Sequence, residues 1–346
     1  MKVCRKILMI SEIDISPKKI YLDQIPKLAK GFIRLGHDAR LLSYTGVMAQ
    51  LSPFKSRKIN HRFYKAQTDE AVCKYAKEFQ PDIVYIGFAR GLDSQTVRQL
   101  RAALPLAVFF AWDGDPWPSN NTGRVELGCE MDVLFATNNG EFIQEYEKAG
   151  AQKCLFMPNL IDPDNDYRYE VSEKWRSNVL WTGKIQHSLG IKAGESVRQE
   201  VLQHVAELPN VKIFGCLDFP KISGIDYLYA ISGARIGVSI NAINNVSLYH
   251  SDRFTHYSAC GSLVLAKRVP DTEQLMEDHK HVRYFDTEEE CIELINWYLE
   301  HEKERQIIAD AGMAHCHDNY NAQQIAQYIL DALDKGEYEA PWGGFG

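Results

Sequence analysis

The stretch G-I-D-Y-L-Y-A-I-S-G-A-R-I-G-V-S-I-N-A-I-N-N-V-S-L-Y-H-S-D-R-F-T-H-Y-S-A-C-G-S-L-V-L-A, Gly224–Ala266, decides how the chain is read. It divides into a helix, a short strand, a polar loop, a second helix and another strand. Ile236, Val238 and Ile240 alternate with small or polar residues, and Leu263–Ala266 is a short apolar run, so both suit buried strands. Between them, Asn241–Asp252 is rich in Asn, Ser, Tyr and His, and a helix carrying Arg253 and His256 follows. A strand, a polar loop and a helix N-terminus leave backbone N–H groups where a phosphate can sit. Arg253 can add a bidentate guanidinium. On the residues alone, an ordinary αβ unit with a solvated loop fits equally well.

Outward from this stretch, 346 residues are enough for two domains, each with its own core. A net charge of −7 argues against general nucleic-acid binding. The eight cysteines stand singly, with no Cys-x-x-Cys pair, which suits reduced thiols in a cytoplasmic protein rather than disulfides or a metal site. The longest apolar run, around Leu106–Trp112, is strand-sized, and the apolar run near the N-terminus is too short for a signal peptide.

Upstream, Arg5–Ser11 reads as a first parallel strand, Tyr21–Leu35 as a helix stopped by Gly36, and Asp38–Tyr44 as a second strand. Phe54–Lys65 is the basic-aromatic stretch of this acidic chain. It reads either as a solvated surface segment or as a peripheral contact for an anionic membrane or an acidic acceptor. Thr68–Gln80 and Ser94–Leu104 read as helices, with Pro81–Phe88 and Leu106–Trp112 as strands. At the end of that last strand stands W-D-G-D-P-W-P, Trp112–Pro118. Ligands of α/β sheets bind at the carboxyl ends of strands. Asp113 or Asp115 is therefore a candidate proton acceptor or acceptor-positioning group and Trp112 and Trp117 a stacking surface; a turn with one Asp capping the next helix is the plainer alternative.

Asp132–Asn138 and Lys153–Asn159 read as further strands around a helix at Gly140–Ala149. A linker of Asp, Pro and Asn at Ile161–Glu170 separates this half from a second. The second half restarts with the strand Asn178–Lys184. A Gly turn at Gly183, continued by Ser188, Gly190 and Gly194 before the helix Glu195–Leu208, suits close approach to a diphosphate. Arg198, taken singly, reads as a surface residue of that helix. After the strand Asn210–Cys216 and the opening stretch come two amphipathic helices, one through Cys291–Leu299 and one through Ala322–Leu333. The tail E-A-P-W-G-G-F-G reads as mobile.

The run R-F-T-H-Y-S-A-C-G-S-L-V-L-A, Arg253–Ala266, with the downstream Tyr284–Phe285 and acidic helix start, resembles the C-terminal domain of CgeB-like glycosyltransferases. These are related to family-4 glycosyltransferases of GT-B fold. Their Trp-x-x-Asp-Asp-Pro element is similar to Trp112–Pro116, and their interdomain crossover to M-P-N-L-I-D-P-D. The resemblance implies an α/β protein with two Rossmann-like domains facing a cleft. Residues 1–165 would form the acceptor side, 166–320 the nucleotide-sugar side, and 321–346 a crossing helix and tail.

The resemblance further implies a metal-independent transfer of a hexosyl or related sugar from a nucleotide-sugar to a glycan, lipid-linked or other hydroxyl acceptor. Bacterial surface-polysaccharide or glycoconjugate synthesis is the implied setting, with no cofactor beyond the donor. Carried onto this chain, Arg253 and the backbone at Asn244, Tyr249, His250 and Ser251 would hold the diphosphate, with Gly183, Lys184, Arg198 and Gly261 assisting. The glutamate pair of the relatives is replaced by Leu248 and His256, so a neutral His256 imidazole is expected to meet the donor ribose. A nucleotide-sugar epimerase of the same fold and a silent nucleotide-sugar-binding protein are the competing readings.

Overall fold

The computed structural model describes residues 3–13, 23–54, 57–114, 122–185, 195–335, 340 and 342. The N-terminal half alternates strand and helix: β1 (Lys6–Ser11), α1 (Gln24–Arg34), β2 (Asp38–Ser43), α2 (Tyr44–Leu51), α3 (Arg57–Phe79) and β3 (Ile83–Ile86). It continues with α4 (Ser94–Ala103), β4 (Val108–Asp113), α5 (Thr122–Cys129), β5 (Val133–Ala136), α6 (Glu141–Lys148) and β6 (Cys154–Phe156). The C-terminal half opens with β7 (Ser177–Thr182), α7 (Glu195–Glu207), β8 (Val211–Phe214), α8 (Ile225–Ser232) and β9 (Ala234–Ser239). Then come α9 (Asp252–Ala259), β10 (Leu263–Lys267), β11 (Arg283–Phe285), α10 (Glu288–Glu300), α11 (Glu302–Asn319) and α12 (Ala322–Lys335).

Both sheets are parallel, as their apolar strands between helices require. One runs β2-β1-β3-β4-β5-β6 and the other β11-β10-β9-β7-β8. In the first, Met9 of β1 pairs with Leu41 on one side and Tyr85 on the other. In the second, Leu180 of β7 lies between Lys212 and Gly237. The strand order therefore reverses at β1/β3 and at β7/β9. Crevices open outside the carboxyl ends of strands at such switch points.

Helix α12 runs back from the second half onto α1. The approach is close because Gly31 has no side chain: a Cβ there would come within 2.0 Å of the Ala322 carbonyl oxygen. The crossover strap is tied by Ile161 N–H to Tyr320 O (2.9 Å) and Ala322 N–H to Ile161 O (2.8 Å). One apolar core accordingly spans both halves, joining Phe32 and Phe110 to Leu228, Tyr257 and Ile329.

Several expectations change. Arg57–Lys65 is not a loop but the first part of the long α3. Lys65 is turned inward onto Asp69 (2.7 Å), Asp93 and Thr96. The second strand stops at Ser43, whose hydroxyl accepts the Gly46 N–H and starts α2. α11 has no counterpart in the sequence reading. The tail is anchored rather than mobile at Trp342, which is 3 % exposed and packs on Tyr320 and Tyr328. Tyr21 and Leu22, expected to begin α1, lie outside the described residues, and Asp23 caps the helix through Ile25 N–H.

Candidate functional site

At the carboxyl end of β7, Gly183 has φ +132° and, at the end of β8, Gly215 has φ +91°, a backbone region that glycine alone enters freely. Gly183 N–H bonds Phe214 O (2.9 Å), so the two turns lie side by side. They floor a cleft of about 330 Å³ that Lys184, Lys221, Asp252 and Arg253 also line. Arg253 crosses it. Its guanidinium carbon lies 4.6 Å from the centre of the Trp181 ring, and its Nη2 donates to Ile240 O (2.8 Å) and Nη1 to Thr182 O (3.3 Å). Its Nε is buried without a hydrogen-bond partner among the described residues. A planar cation braced from behind, with a donor left over, suits an oxyanion of a phosphate.

The remaining expected donor-side residues divide sharply. Arg198 is not a surface residue: it is buried and donates to the carbonyls of Ile240 (3.0 Å), Ile185 and Lys184, so it braces the cleft from beneath. Asn244 bonds Asn241 in both directions, and Asn241 holds Tyr249 O and Ser251 N–H, so the β9–α9 loop is folded on itself. Ser251 Oγ is buried without a hydrogen-bond partner among the described residues. Ser188, Gly190 and Gly194 lie outside the described residues.

Two assignments, those of His256 and Gly261, are corrected, and the ring of His250 has a structural role beside the one expected of its backbone. His250 is buried, with Nε2 accepting Asn159 N–H (3.2 Å) and Nδ1 donating to Leu248 O (2.9 Å). The Nε2 bond joins the two halves, the Nδ1 bond stays within the β9–α9 loop, and burial depresses its pKa to about 4. His256 is fully buried against α1, its Nε2 facing the Lys27 ammonium (3.2 Å) and the Gln24 amide (3.3 Å). Burial first, and then the Lys27 charge, lower its pKa, and no face is left for a ribose. Lys27 itself forms a buried ion pair with Asp166 (2.7 Å). Gly261 lies at the far, amino end of β10, where its φ of +85° and lack of a Cβ make room for the Arg168 guanidinium.

Across from this cleft, at the carboxyl ends of β1, β3 and β4, a cavity of about 410 Å³ is lined by Trp112, Gly114, Arg124, Tyr249, Ser251 and Asp252, among others. Trp112 is 7 % exposed and donates from Nε1 to Thr137 Oγ1 (2.9 Å), so only its edge reaches the cavity. Asp113 is buried and its carboxylate is gripped by Arg124, with a further bond from Tyr146 OH (2.7 Å). A carboxylate so paired suits positioning rather than proton acceptance, so of the two roles expected for Asp113 the proton acceptor is the one corrected. Asp115 and Trp117 lie outside the described residues.

Asp252 is the residue the sequence reading missed. It is exposed, opens α9, and is the carboxylate that lines both the donor-side cleft and the cavity opposite. Its side chain has no hydrogen-bond or ion-pair partner among the described residues. The signal in sequence was its place at the first helical position, one residue before Arg253. Among the described residues, no group of three or more His, Cys, Asp or Glu side chains is arranged to hold a metal, and no helix is long and apolar enough to cross a membrane.

Two facing Rossmann-like domains with a returning C-terminal helix define a protein of GT-B fold. Residues 198–331 match the family model described as glycosyl transferase-like. A glycosyltransferase from Rickettsia africae ESF-5 superposes with a TM-score of 0.62 at 13 % identity, over 96 % of this chain and 100 % of that one. Anabaena HepE, solved with UDP and glucose, gives 0.60 at 14 % over 95 % and 99 %. A UDP-N-acetylglucosamine 2-epimerase gives 0.54 at 12 % over 99 % and 100 %. No curated protein matches the chain in sequence.

Proposed function

We propose that this protein is a CgeB-like glycosyltransferase that moves a sugar from a nucleoside-diphosphate donor to a hydroxyl of an acceptor. The observation that carries the reading is the Gly183–Gly215 cleft crossed by the braced Arg253, whose buried Nε has no hydrogen-bond partner among the described residues. The donor diphosphate lies there, against Lys184 and the N-terminus of α9, and the charge released on the leaving diphosphate is met by these groups. The acceptor lies in the opposite cavity, beside Trp112 and Ser251. Asp252, between the two, takes the proton of the acceptor hydroxyl as that oxygen bonds the anomeric carbon. The bond from that carbon to the diphosphate oxygen breaks, and its electron pair leaves with the diphosphate.

The acceptor-side cavity favours transfer over epimerisation, which needs no second substrate. UDP is the first nucleotide to try, because the similar Anabaena HepE was solved with it. Thermal unfolding is followed with UDP, GDP, dTDP, ADP and CMP in turn. At a hundredfold excess over Kd, a nucleotide stabilises the native state by about 2.7 kcal/mol. UDP is expected to raise the midpoint, and Arg253→Ala to abolish the rise. No rise with any of the five would overturn the reading.

A further inference from the structure

The N-terminal half holds another cavity, of about 460 Å³, at the carboxyl ends of β1 and β2 between α2 and the start of α3. Its wall is apolar along Ile13, Met48, Pro53 and Phe54, and Phe54 stays half exposed. Three of its lining residues are titratable: Glu12, His61 and Arg90. Arg90 is the permanent cation among them. It is exposed, and its guanidinium has no hydrogen-bond or ion-pair partner among the described residues. Glu12 also lines the acceptor-side cavity, which in turn meets the donor cleft at Asp252. The three spaces therefore lie in series, each sharing a lining residue with the next.

We propose that this cavity receives the remote end of the acceptor, and that this end is an anionic amphiphile. Its hydrocarbon lies on Met48, Pro53 and Phe54, and its phosphate or carboxylate faces Arg90, with His61 beside it. An apolar wall rewards the chain and an unpaired guanidinium rewards the anion, so neither a neutral lipid nor a bare anion fills both halves of the site. The assignment of this ligand as acceptor rests on the transfer reading; the binding itself does not.

The test is titration calorimetry with octyl phosphate, octanol and inorganic phosphate, on the wild type, Arg90→Ala and Ala49→Trp. Ala49 is an exposed position on α2 that lines the cavity, so the indole fills the space without disturbing the core. Octyl phosphate is expected to bind more tightly than either fragment. Arg90→Ala should weaken it about tenfold, the scale of one lost charge-assisted contact, and leave octanol unchanged. Ala49→Trp should abolish binding of both while the response to UDP persists. Octyl phosphate no tighter than octanol, inorganic phosphate as tight as octyl phosphate, or an Ala49→Trp variant that binds normally would each overturn the proposal. Octyl phosphate binding without any response to nucleotides would support the site and sink the transfer reading instead.

Discussion

Asp252 and Asp113 are both aspartates at the edge of the cleft, yet their surroundings give them opposite work. Asp113 is held by Arg124 and Tyr146, whereas Asp252 is open to both the Gly183–Gly215 cleft and the cavity opposite. Asp252→Asn should therefore lower transfer by about 10²–10⁴-fold, the usual range for a lost general base, and leave the UDP-induced rise in unfolding midpoint intact. A variant with normal turnover would remove the role. At His250 the chemistry runs through stability. Its folded pKa of about 4 lies below its ordinary value of 6.5, because the ring is buried. As pH falls from about 6.5 to about 4, the unfolded chain binds the proton first, so stability drops through that window by up to about 3 kcal/mol. Above pH 6.5 the ring is neutral in both states and contributes no slope. Urea unfolding across this range should show a shallower pH dependence for His250→Gln; equal slopes would refute the assignment. The placing of Arg253 and Gly183 at one cleft was legible in sequence because it depends on backbone chemistry and on position at the ends of a strand and a helix. Asp113 was misread because a Trp-Asp at a strand end looks the same whether its carboxylate faces a cleft or pairs with an arginine eleven residues on. His256 was misread because its partner, Lys27, comes from the other half of the chain.

Among the elements, the seam between α1 and α12 is the one most exposed to a single-atom test. A Cβ on Gly31 would meet backbone atoms of Ala322 at 2.0 and 2.5 Å, so the helices must part. Gly31→Ala should cost about 1–3 kcal/mol despite the better helix propensity of alanine. Gly123→Ala in α5, where nothing lies within 4 Å, should not destabilise. Denaturant midpoints for the two variants decide the matter, and a neutral Gly31→Ala would refute the close seam. The βα alternation was readable because buried parallel strands are short apolar runs. α11 was not, because its buried face is built from Arg305, Ile308, Ala309, Gly312 and Cys316, in which Ile308 is the one large apolar side chain and no stripe forms. α3 was read only from Thr68 onward, since its first turns are basic and aromatic and the inward course of Lys65 depends on Asp93 and Thr96 of a later helix.

Across the whole molecule, the two halves share a core and several polar ties, of which the most costly to break is Lys27–Asp166. Side-chain exposure there is 1 % and 0 %. Asp166→Asn strands a buried ammonium and should cost about 3–5 kcal/mol, whereas Lys27→Met with Asp166→Leu should recover most of that loss. Because the core is continuous, calorimetry of the wild type should give a single transition, and two well-separated transitions would contradict a shared core. The same ion pair bears on what position 256 can hold. That position faces Lys27 from 3.2 Å. A glutamate placed there would set two buried carboxylates on one ammonium. Such an exchange becomes tolerable only after Asp166 has given up its charge, so for this pair of positions the order of substitutions matters as much as their number.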